Sequence, residues 1–408
     1  MKPAGPIPSH FSALGGELML GGRTASALVD EAGDTPLFVY SRDAIAARMA
    51  ELRSAMPERL HIHYAMKANP YGPLLEFMAD LVDGLDIASV GEFEQAREAG
   101  YLPRETSFAG PGKRDDELFA AIRAGVTINL ESEGEADRAL EIARTLDVKP
   151  RLAIRVNPSF ELRGSGMKMG GGAKPFGVDA DRVPALARRL VDADANWRGF
   201  HIYSGSQSLD AEAIAESQAN VIALASELAA EADVSVPHLN MGGGFGIPYF
   251  AKDEPLDIEY IGRALQRQFN DLPSNLAETQ FAIELGRYLV GEAGVYLTRV
   301  VDRKISHGTT YVVTDGGLHH QLAASGNFGA VVRRNYPVAI ASKFDAEPVE
   351  EVNIVGCLCT PLDRLGDDVH MPRAEVGDLV AVFCAGAYGA SASPATFLGQ
   401  GPAQELLV

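Results

Sequence analysis

Lys67 stands at the point where a strand-like run of the sequence ends. Residues 61–66 largely alternate between polar and apolar types, and the breaker Asn69-Pro70 follows. Pro73 then opens an amphipathic helical pattern. The lysine is therefore expected at the carboxyl end of a buried strand, which is the catalytic face of a strand–helix barrel. Buried lysines lose their proton readily and form Schiff bases with carbonyls, although a lysine here could equally reach solvent or pair with an acid.

The composition is that of a globular chain with an acidic surface. The 408 residues carry a formal net charge of −19, with 46% hydrophobic and 22% charged residues, which is enough for two domains. This charge makes nucleic acid and anionic membranes poor partners, and no apolar run reaches membrane-spanning length. The first residues lack the pattern of a secretory signal. Three cysteines are too few for a disulfide framework or a zinc site, so we expect a cytoplasmic protein without a metal.

Strand-like and helix-like patterns alternate through the middle of the chain. Strands are predicted near residues 61–66, 85–87, 106–109, 127–130, 152–156, 199–204, 237–241 and 281–284. Helical patterns fall between them, for example at residues 91–99, 115–124, 135–145, 180–192 and 211–231. No Rossmann glycine pattern follows the first strand. Eight such units in series predict an α/β fold of the (β/α)₈ barrel type.

The pattern changes after about residue 286. Short β-rich runs at 294–301, 310–314 and 379–383 are separated by glycine, proline and aspartate. Residues 1–34 are rich in glycine and proline and predict irregular structure with one or two strands. The sequence therefore predicts a barrel followed by a β-domain.

Charged residues recur near the ends of the predicted barrel strands. Asp86 and Glu92 flank a predicted helix start, where ordinary capping would explain both. Arg155 lies in an otherwise apolar strand and needs a partner, because arginine stays charged; an acid on a neighbouring strand would suffice.

Two more strand ends carry residues that could bind an anion. The glycine run at 242–244 could bring backbone N–H groups close to an anion, or could be only a turn. Glu284 and Arg287 close the last predicted strand, where they could form an ion pair with each other or face a site.

Residues 64–70, which read YAMKANP, resemble the cofactor-lysine segment of the fold-type III pyridoxal phosphate (PLP) decarboxylases. This family includes diaminopimelate, ornithine and arginine decarboxylases on an alanine-racemase-like barrel. Five more segments resemble the family's motifs in the same order, namely HIYSGSQ at 201–207, GGGFGIPY at 242–249, ELGR at 284–287, GCLCTPLD at 356–363 and GAYG at 386–389. The resemblance thus spans residues 64–391, and it implies PLP as the cofactor.

The resemblance also implies a domain arrangement and an assembly. The PLP-binding barrel would cover residues 35–285, and a β-domain would be built from residues 1–34 and 286–408. In that family the cysteine segment of one subunit completes the barrel site of the other in a twofold dimer. We therefore expect a homodimer with shared active sites.

The resemblance assigns roles to individual residues. Lys67 would form the Schiff base with PLP, and Cys359 would be catalytic, near the carbon that accepts a proton. The implied cofactor-binding residues are Lys67, Asp86, Arg155, Tyr203, Ser206, Gly243, Gly244, Glu284, Gly286, Arg287 and Tyr388, with Glu92 as a further candidate. Glu284 would keep the pyridine nitrogen protonated and the ring an electron sink. Cys357 is expected to pack in the interior.

Two departures from the family pattern bear on the chemistry. Tyr203 replaces the histidine that stacks on the PLP ring, so an aromatic face remains but the imidazole is lost. Thr360 follows Cys359 where diaminopimelate and ornithine decarboxylases carry an acid that holds the distal amine of the substrate. Arg287, Arg333, Thr360 and Tyr388 are the implied substrate-binding residues. Arg333 and its neighbour Arg334 favour a carboxylate or phosphate, unless they form a solvated basic turn.

These features predict a PLP-dependent carboxy-lyase that removes CO₂ from Cα of an L-amino acid or aminoacyl derivative. The distal group of the substrate is expected to be anionic or linked to a carrier protein. The sequence resembles a divergent branch that includes exosortase-associated and carrier-protein-glutamyl decarboxylases. Three alternatives are a diaminopimelate decarboxylase that makes L-lysine, an amino-acid racemase on the same barrel, and a non-catalytic PLP-binding protein.

Overall fold

The structure is a computed structural model that describes residues 2–168, 170–326 and 333–408. It divides into two compact units. The first consists of Met49–Gly246 and Leu256–Gly286, and the second of Met1–Arg48, Ile247–Pro255 and Arg287–Val408. The helix Arg42–Ala55 contributes residues to both. Within the described ranges, no helix has both the length and the apolar character needed to cross a membrane.

The first unit is a closed barrel of eight parallel strands. In chain order these strands are Leu60–Ala65, Gly84–Ile87, Thr106–Phe108, Thr127–Leu130, Arg151–Asn157, Asn196–Ile202, His238–Asn240 and Gln280–Leu285. Each strand pairs with the next, and the last pairs with the first. The predicted (β/α)₈ barrel is confirmed.

Helices follow the barrel strands along the chain. They are Gly72–Ala79, Val90–Glu98, Asp115–Ala124, Glu133–Leu146, Val183–Asp192, Ala211–Ala232 and Ile258–Asn270. Side chains cap several of them, since Ser89, Ser132 and Asp210 each accept a hydrogen bond from a backbone N–H in the first turn. The turn after Asp115–Ala124 uses Gly125 in a left-handed conformation.

The interior of the barrel is polar. Barrels of this kind are usually filled by layers of branched apolar side chains. Here a polar column, defined as His63, Asp86, Ser107, Asn129, Asn240 and Glu284, is buried among the strands. Ser107 donates to Asp86, Asn129 Nδ2 donates to Ser107 Oγ over 3.2 Å, and Asn240 Nδ2 donates to Glu284 Oε2 over 3.2 Å. The hydrogen bonds satisfy much of this buried polarity and fix the side chains that face the site.

The second unit is built on a largely antiparallel sheet. Its strands are Leu37–Tyr40, Gly294–Ser306, Thr309–Thr314, Val338–Ile340, Glu350–Val355, Arg364–Met371, Leu379–Phe383 and Gln404–Leu407. A small sheet of Ser12–Leu14, Glu17–Leu20 and Arg23–Thr24 leads into the helix Ala25–Ala32. Leu18, Leu28, Leu37, Val295 and Phe383 belong to the apolar core of this unit. The prediction of a β-domain is confirmed.

The strand Leu37–Tyr40 lies in the second sheet, although the barrel domain was expected to begin at residue 35. It pairs antiparallel with Gly294–Ser306 and parallel with Gln404–Leu407. Its four residues are all apolar or aromatic and all buried. A run without alternation can be buried on both faces of either sheet, so the sequence indicates the strand but not its partners.

Candidate active site

A cavity of about 380 Å³ opens at the carboxyl ends of the barrel strands. It gathers five of the predicted site residues, namely Lys67, Asp86, Arg155, Tyr203 and Glu284. Lys67 lies in the short turn Met66–Ala68 that follows the first barrel strand, and its side chain is exposed. The Lys67 Nζ atom is 6.0 Å from the centre of the Tyr203 ring. The arrangement puts an amine and an aromatic face in one cavity.

The Glu284 carboxylate is buried and charged. Its Oε2 atom lies 3.1 Å from Nε2 of His201. Burial alone would raise the pKa of Glu284, but His201, Lys67 and Arg155 outweigh burial and hold the pKa below its usual range. A carboxylate in this state can hold a cationic ring nitrogen. Sequence reasoning missed His201, although it stands two residues before Tyr203 and so points to the same face of the strand.

Arg155 is paired with an acid on a neighbouring strand, which was one of the two possibilities left open by the sequence. Its Nη1 atom donates to Glu131 Oε1 over 2.7 Å. A second buried pair, Lys113 Nζ to Glu135 Oε1 at 2.7 Å, lies close by. Sequence reasoning missed Glu131, although an acid directly after the strand Thr127–Leu130 has the same placement that singled out Lys67 and Asp86.

Asp86 lines the cavity, whereas Glu92 caps a helix. Asp86 accepts a hydrogen bond from Ser107, and its Oδ2 atom lies 3.5 Å from Nδ1 of His63. Glu92 Oε2 accepts the Ala88 N–H over 2.5 Å. Burial raises the pKa of Glu92, and the Ala88 hydrogen bond and Lys67 only partly offset this. The geometry of Glu92 is that of the capping alternative.

The glycine run and Ser206 leave hydrogen-bond donors for an anion. A Cβ atom at Gly243 would lie 2.0 Å from the Glu284 carbonyl oxygen, and one at Gly244 would lie 2.7 Å from the Gly205 carbonyl oxygen, so only glycine fits. Neither N–H of this pair donates to the described part of the chain. The buried Oγ of Ser206 likewise has no partner there. Two amides and a hydroxyl form a donor set that suits a phosphate group.

Gly286 is also required by close packing. A Cβ atom at this position would lie 2.7 Å from the Ala68 Cβ and 3.0 Å from the Ala65 carbonyl oxygen. Gly286 therefore allows the last barrel strand to end directly against the turn that carries Lys67. This is a positioning function for the backbone rather than a contact by a side chain.

In the second unit, Arg287 and Tyr388 lie together. Arg287 Nη1 donates to the Tyr249 hydroxyl over 2.8 Å, and the guanidinium carbon is 4.8 Å from the centre of the Tyr388 ring. Tyr388 has φ of 58°, which is unusual for a bulky residue and is often found at functional sites. The stacking fixes the guanidinium and leaves it cationic.

The cysteine segment places Cys359 at the surface of the second unit. Cys357 and Cys359 are both exposed, while Leu358 between them is buried. The prediction that Cys357 packs in the interior is therefore wrong, because Leu358 takes the inward position. Thr360 is half-buried and its Oγ1 accepts the Leu362 N–H over 3.4 Å.

The two adjacent arginines have different surroundings. Arg333 Nε lies 3.0 Å from Asp367 Oδ2, which also pairs with Arg364 and Lys2. Arg334 is exposed, and its guanidinium carbon is 3.6 Å from the centre of the Phe250 ring. The charge of Arg333 is thus compensated within the unit, and no carboxylate of the described chain pairs with Arg334.

Comparisons with known proteins agree with this fold. The family model for the pyridoxal-dependent decarboxylase, pyridoxal binding domain, matches residues 42–291. The L-glutamyl-[BtrI acyl-carrier protein] decarboxylase of Niallia circulans is 36% identical over 92% of this chain and 89% of its own. The diaminopimelate decarboxylase of Methanothermobacter thermautotrophicus is 32% identical over 93% and 87%. The crystal structure of the Helicobacter pylori diaminopimelate decarboxylase complexed with L-lysine has a TM-score of 0.83 and 26% identity, and covers 94% of each chain.

The chain belongs to the pyridoxal-dependent decarboxylase family. The predicted cofactor, PLP, and the predicted class of enzyme, a PLP-dependent amino-acid decarboxylase, are confirmed by these similarities. These relatives are decarboxylases, which favours that class over a racemase or a non-catalytic PLP-binding protein. When bound, PLP supplies an electron sink for the bond that is broken at Cα. The assignment of individual residues to the cofactor remains a prediction, and the unpaired donors of Ser206, Gly243 and Gly244 fit it.

Proposed function

We propose that this enzyme decarboxylates the Cα of an L-glutamyl-type aminoacyl group attached to an acyl-carrier protein. The observation that carries the proposal is the neutral residue that follows Cys359 in the cysteine segment of the second unit. Thr360 occupies the position where the family places an acid for a distal amine, and its hydroxyl is engaged by the local turn. The similarity to the carrier-protein glutamyl decarboxylase of Niallia circulans supports the same substrate class.

The carboxylate in this segment is already used by the fold. Asp363 accepts the Leu318 N–H over 2.7 Å and the Leu358 N–H over 2.8 Å. Cβ atoms at Gly317 and Gly356 would lie within 2.1 and 2.3 Å of its oxygens, so the carboxylate is enclosed by backbone. A distal ammonium of the substrate would find no free carboxylate here. A distal amide or thioester requires none.

Arg334 is the better candidate of the two arginines for an anionic or carrier-linked group. Arg333 is held by Asp367, whose pKa is raised by burial but lowered further by Arg364, Arg333 and Lys2. Arg333 thus has a charged partner within the unit, whereas Arg334 has none among the described residues. Arg334 stacks on Phe250 and keeps its donors available to solvent.

The residues of this chain would divide the work of the reaction. Glu284 would keep the ring nitrogen cationic, Lys67 would hold the cofactor before the substrate arrives, and Arg155 would face the ring oxygen. The bond between Cα and its carboxylate breaks, and one proton returns to Cα for each CO₂ released. Cys359, or a water it orients, is the proposed proton donor.

A CO₂-release assay with the PLP-loaded protein tests this proposal. The panel should contain a glutamyl thioester on an acyl-carrier protein, a glutamyl thioester on pantetheine, free L-glutamate, meso-diaminopimelate, ornithine, arginine and lysine. We expect the carrier-linked substrate to be turned over fastest. The mass of the loaded carrier protein should then fall by the mass of CO₂. Efficient turnover of meso-diaminopimelate with none of the carrier substrate would instead establish the diaminopimelate decarboxylase alternative.

The variant Thr360→Glu sharpens the test. It restores a carboxylate at the position that holds a distal amine in the family, and we expect it to gain activity on meso-diaminopimelate and lose activity on the carrier substrate. Thr360→Ser keeps a hydroxyl and is the matched control. An unchanged substrate preference in Thr360→Glu would remove Thr360 as a determinant of specificity.

We also propose a homodimer with shared sites and a cytoplasmic location. The dimer is supported by the family resemblance of the cysteine segment. The location is supported by the three cysteines, all of which are free thiols. Light scattering of the purified protein would test the homodimer. Fractionation of the source cells would test the cytoplasmic location.

A further inference from the structure

A second cavity lies at the opposite mouth of the barrel. It has a volume of about 470 Å³ and is lined by residues from the amino ends of the barrel strands. The positions that define it include Thr127, Arg151 and His238, each the first residue of its strand. Lys67 and the candidate active site are at the carboxyl ends of the same strands. The second cavity is therefore separate from the catalytic one.

Two arginines in this cavity lack a compensating acid. Arg151 donates from Nε to the Thr127 hydroxyl over 3.2 Å and from Nη2 to the Arg104 carbonyl oxygen over 3.2 Å, and both acceptors are neutral. Arg198 makes no ion pair or hydrogen bond with the described residues. Both side chains are half-buried. Burial lowers the pKa of each guanidinium, and Arg198 lowers the pKa of Arg151 further.

The acids of the cavity are already paired with other arginines. Asp83 Oδ2 lies 2.7 Å from Arg53 Nη2 and also accepts the Ile62 N–H. Glu105 Oε1 lies 3.4 Å from Arg104 Nε. Neither carboxylate is within ion-pair distance of Arg151 or Arg198. Arg151 and Arg198 are consequently left without a paired acid among the described residues, beside neutral donors, in a protein whose net charge is −19.

A β-bulge directs Arg198 into this cavity. The pairing between the strands Asn196–Ile202 and Arg151–Asn157 shifts register between Trp197 and Gly199. Gly199 has φ of 94°, and a Cβ atom there would lie 2.0 Å from the His238 carbonyl oxygen, so the bulge requires glycine. Bulges redirect side chains relative to the normal alternation. Arg198 is the extra residue between these two pairs, and it lines the cavity.

We propose that this amino-terminal cavity binds an oxyanion of the phosphate class, held between Arg151 and Arg198. Guanidinium groups match the geometry of phosphate oxygens, and two of them can divide the charge of a dianion. The Thr127 hydroxyl would add a neutral donor at the floor of the site. The pKa of nearby His238 is lowered by burial, by His63 and by Arg198. A bound anion would oppose the effect of these positive charges.

Thermal unfolding of the PLP-loaded protein with added phosphate tests the proposal. PLP loading keeps the candidate phosphate-binding donors at the other mouth occupied, and the visible absorbance of the cofactor reports that it stays bound. Chloride at equal ionic strength is the control for changes in Tm that come from screening of the protein's charges by salt. We expect inorganic phosphate to raise the Tm saturably in the wild-type protein. The same measurement is repeated with glycerol phosphate. A larger rise in Tm than with inorganic phosphate would identify a phosphate monoester as the ligand.

Variants separate a binding role from a structural one. Arg198→Gln removes an uncompensated cation, so we expect it to raise the Tm in phosphate-free buffer and to abolish the further rise with phosphate. Arg151→Gln should lower phosphate affinity by about ten- to a hundredfold. Arg97→Gln, which removes an exposed arginine that is paired with Glu94 and lies outside the cavity, is the matched control and should respond like the wild type. Equal phosphate responses in Arg198→Gln and the wild type, or no saturable response in the wild type, would overturn the proposal.

Discussion

Arg155 Nη1 and Glu131 Oε1 lie 2.7 Å apart and are both buried at the carboxyl mouth of the barrel. The same Glu131 oxygen accepts the Gly110 N–H over 2.7 Å, and the other oxygen accepts the Gly177 N–H over 2.8 Å. Burial raises the pKa of Glu131, but Arg155 and Lys113 lower it below its usual range. One carboxylate thus holds the arginine and two loops of the candidate site in place.

Glu131→Gln should therefore affect both stability and cofactor retention. Removal of one partner leaves Arg155 as a buried, uncompensated cation, and we expect the free energy of unfolding to fall by about 3 kcal/mol. Urea unfolding measures this change. Glu141→Gln, which breaks an exposed pair with Arg144, is the control and should be nearly neutral. A loss no larger than that of Glu141→Gln would show that Glu131 does not hold the site.

The His63–Asp86 contact predicts a dependence of stability on pH. Burial lowers the pKa of His63, but Asp86 and Glu284 outweigh burial and raise it above 6.5. A raised folded-state pKa contributes stability below pH 6.5, and this contribution is lost as the pH rises through the folded-state value. The destabilisation caused by His63→Gln should thus be larger at acidic than at alkaline pH, as measured by urea unfolding at both. A difference independent of pH would contradict the pairing.

Tyr203 should influence retention of the cofactor. If its ring stacks on PLP, Tyr203→Ala loses about 0.5–1.5 kcal/mol of binding energy beyond burial, or roughly three- to tenfold in affinity. Tyr203→His and Tyr203→Phe keep a ring and should retain PLP. Dialysis followed by absorbance measures the bound fraction. Equal PLP affinity in Tyr203→Ala and the wild type would rule out stacking.

Arg333→Ala and Arg334→Ala form a matched pair. A hydrogen bond to a charged group contributes about 1.5–3 kcal/mol, so Arg334→Ala should lower kcat/KM on the preferred substrate by roughly ten- to a hundredfold. Arg333→Ala should instead lower stability, since Asp367 loses a partner. The reverse pattern, with kcat/KM sensitive only to Arg333, would show that Arg333 and not Arg334 contacts the substrate.

Mixed dimers test the shared site. Lys67→Ala and Cys359→Ala subunits should each be inactive alone. After exchange in equal amounts, half of the dimers are mixed and each has one intact site, so activity should return to about a quarter of the wild-type value. Native mass spectrometry, which resolves the mixed dimer by its intermediate mass, confirms that exchange has occurred. If the exchanged mixture stays inactive, each subunit supplies both residues of its own site.

The sequence predicted the barrel and the residues that gather at its carboxyl mouth because both depend on local pattern. The eight strands follow from periodicity, and Lys67, Asp86, Arg155, Tyr203 and Glu284 all lie at strand ends, which a barrel brings together. Glu131 and His201 were missed because an inward-facing acid or histidine is identified as part of a site only when its neighbours across the barrel are known.

The remaining differences depend on partners that are distant in sequence. The resemblance placed Arg333 with the substrate, which stays a prediction, and nothing local in the sequence indicates Asp367 as its partner. Leu37–Tyr40 fell within the barrel bounds of 35–285 that the resemblance implied, and four consecutive apolar residues do not indicate which sheet a strand joins. The second cavity was not anticipated, since the bulge that directs Arg198 inward depends on pairing between two strands.

The position of Leu37–Tyr40 between Gly294–Ser306 and Gln404–Leu407 has a consequence for biosynthesis. This strand is translated before the barrel, whereas both of its neighbours are made only after the whole barrel has been translated. Until then its four apolar and aromatic residues have no sheet to join, and both hydrogen-bonding edges of the strand are open to other nascent chains. The period of greatest risk for aggregation is therefore during translation, and a chaperone that shields Leu37–Tyr40 on the nascent chain would protect folding yield more than one acting on the completed chain.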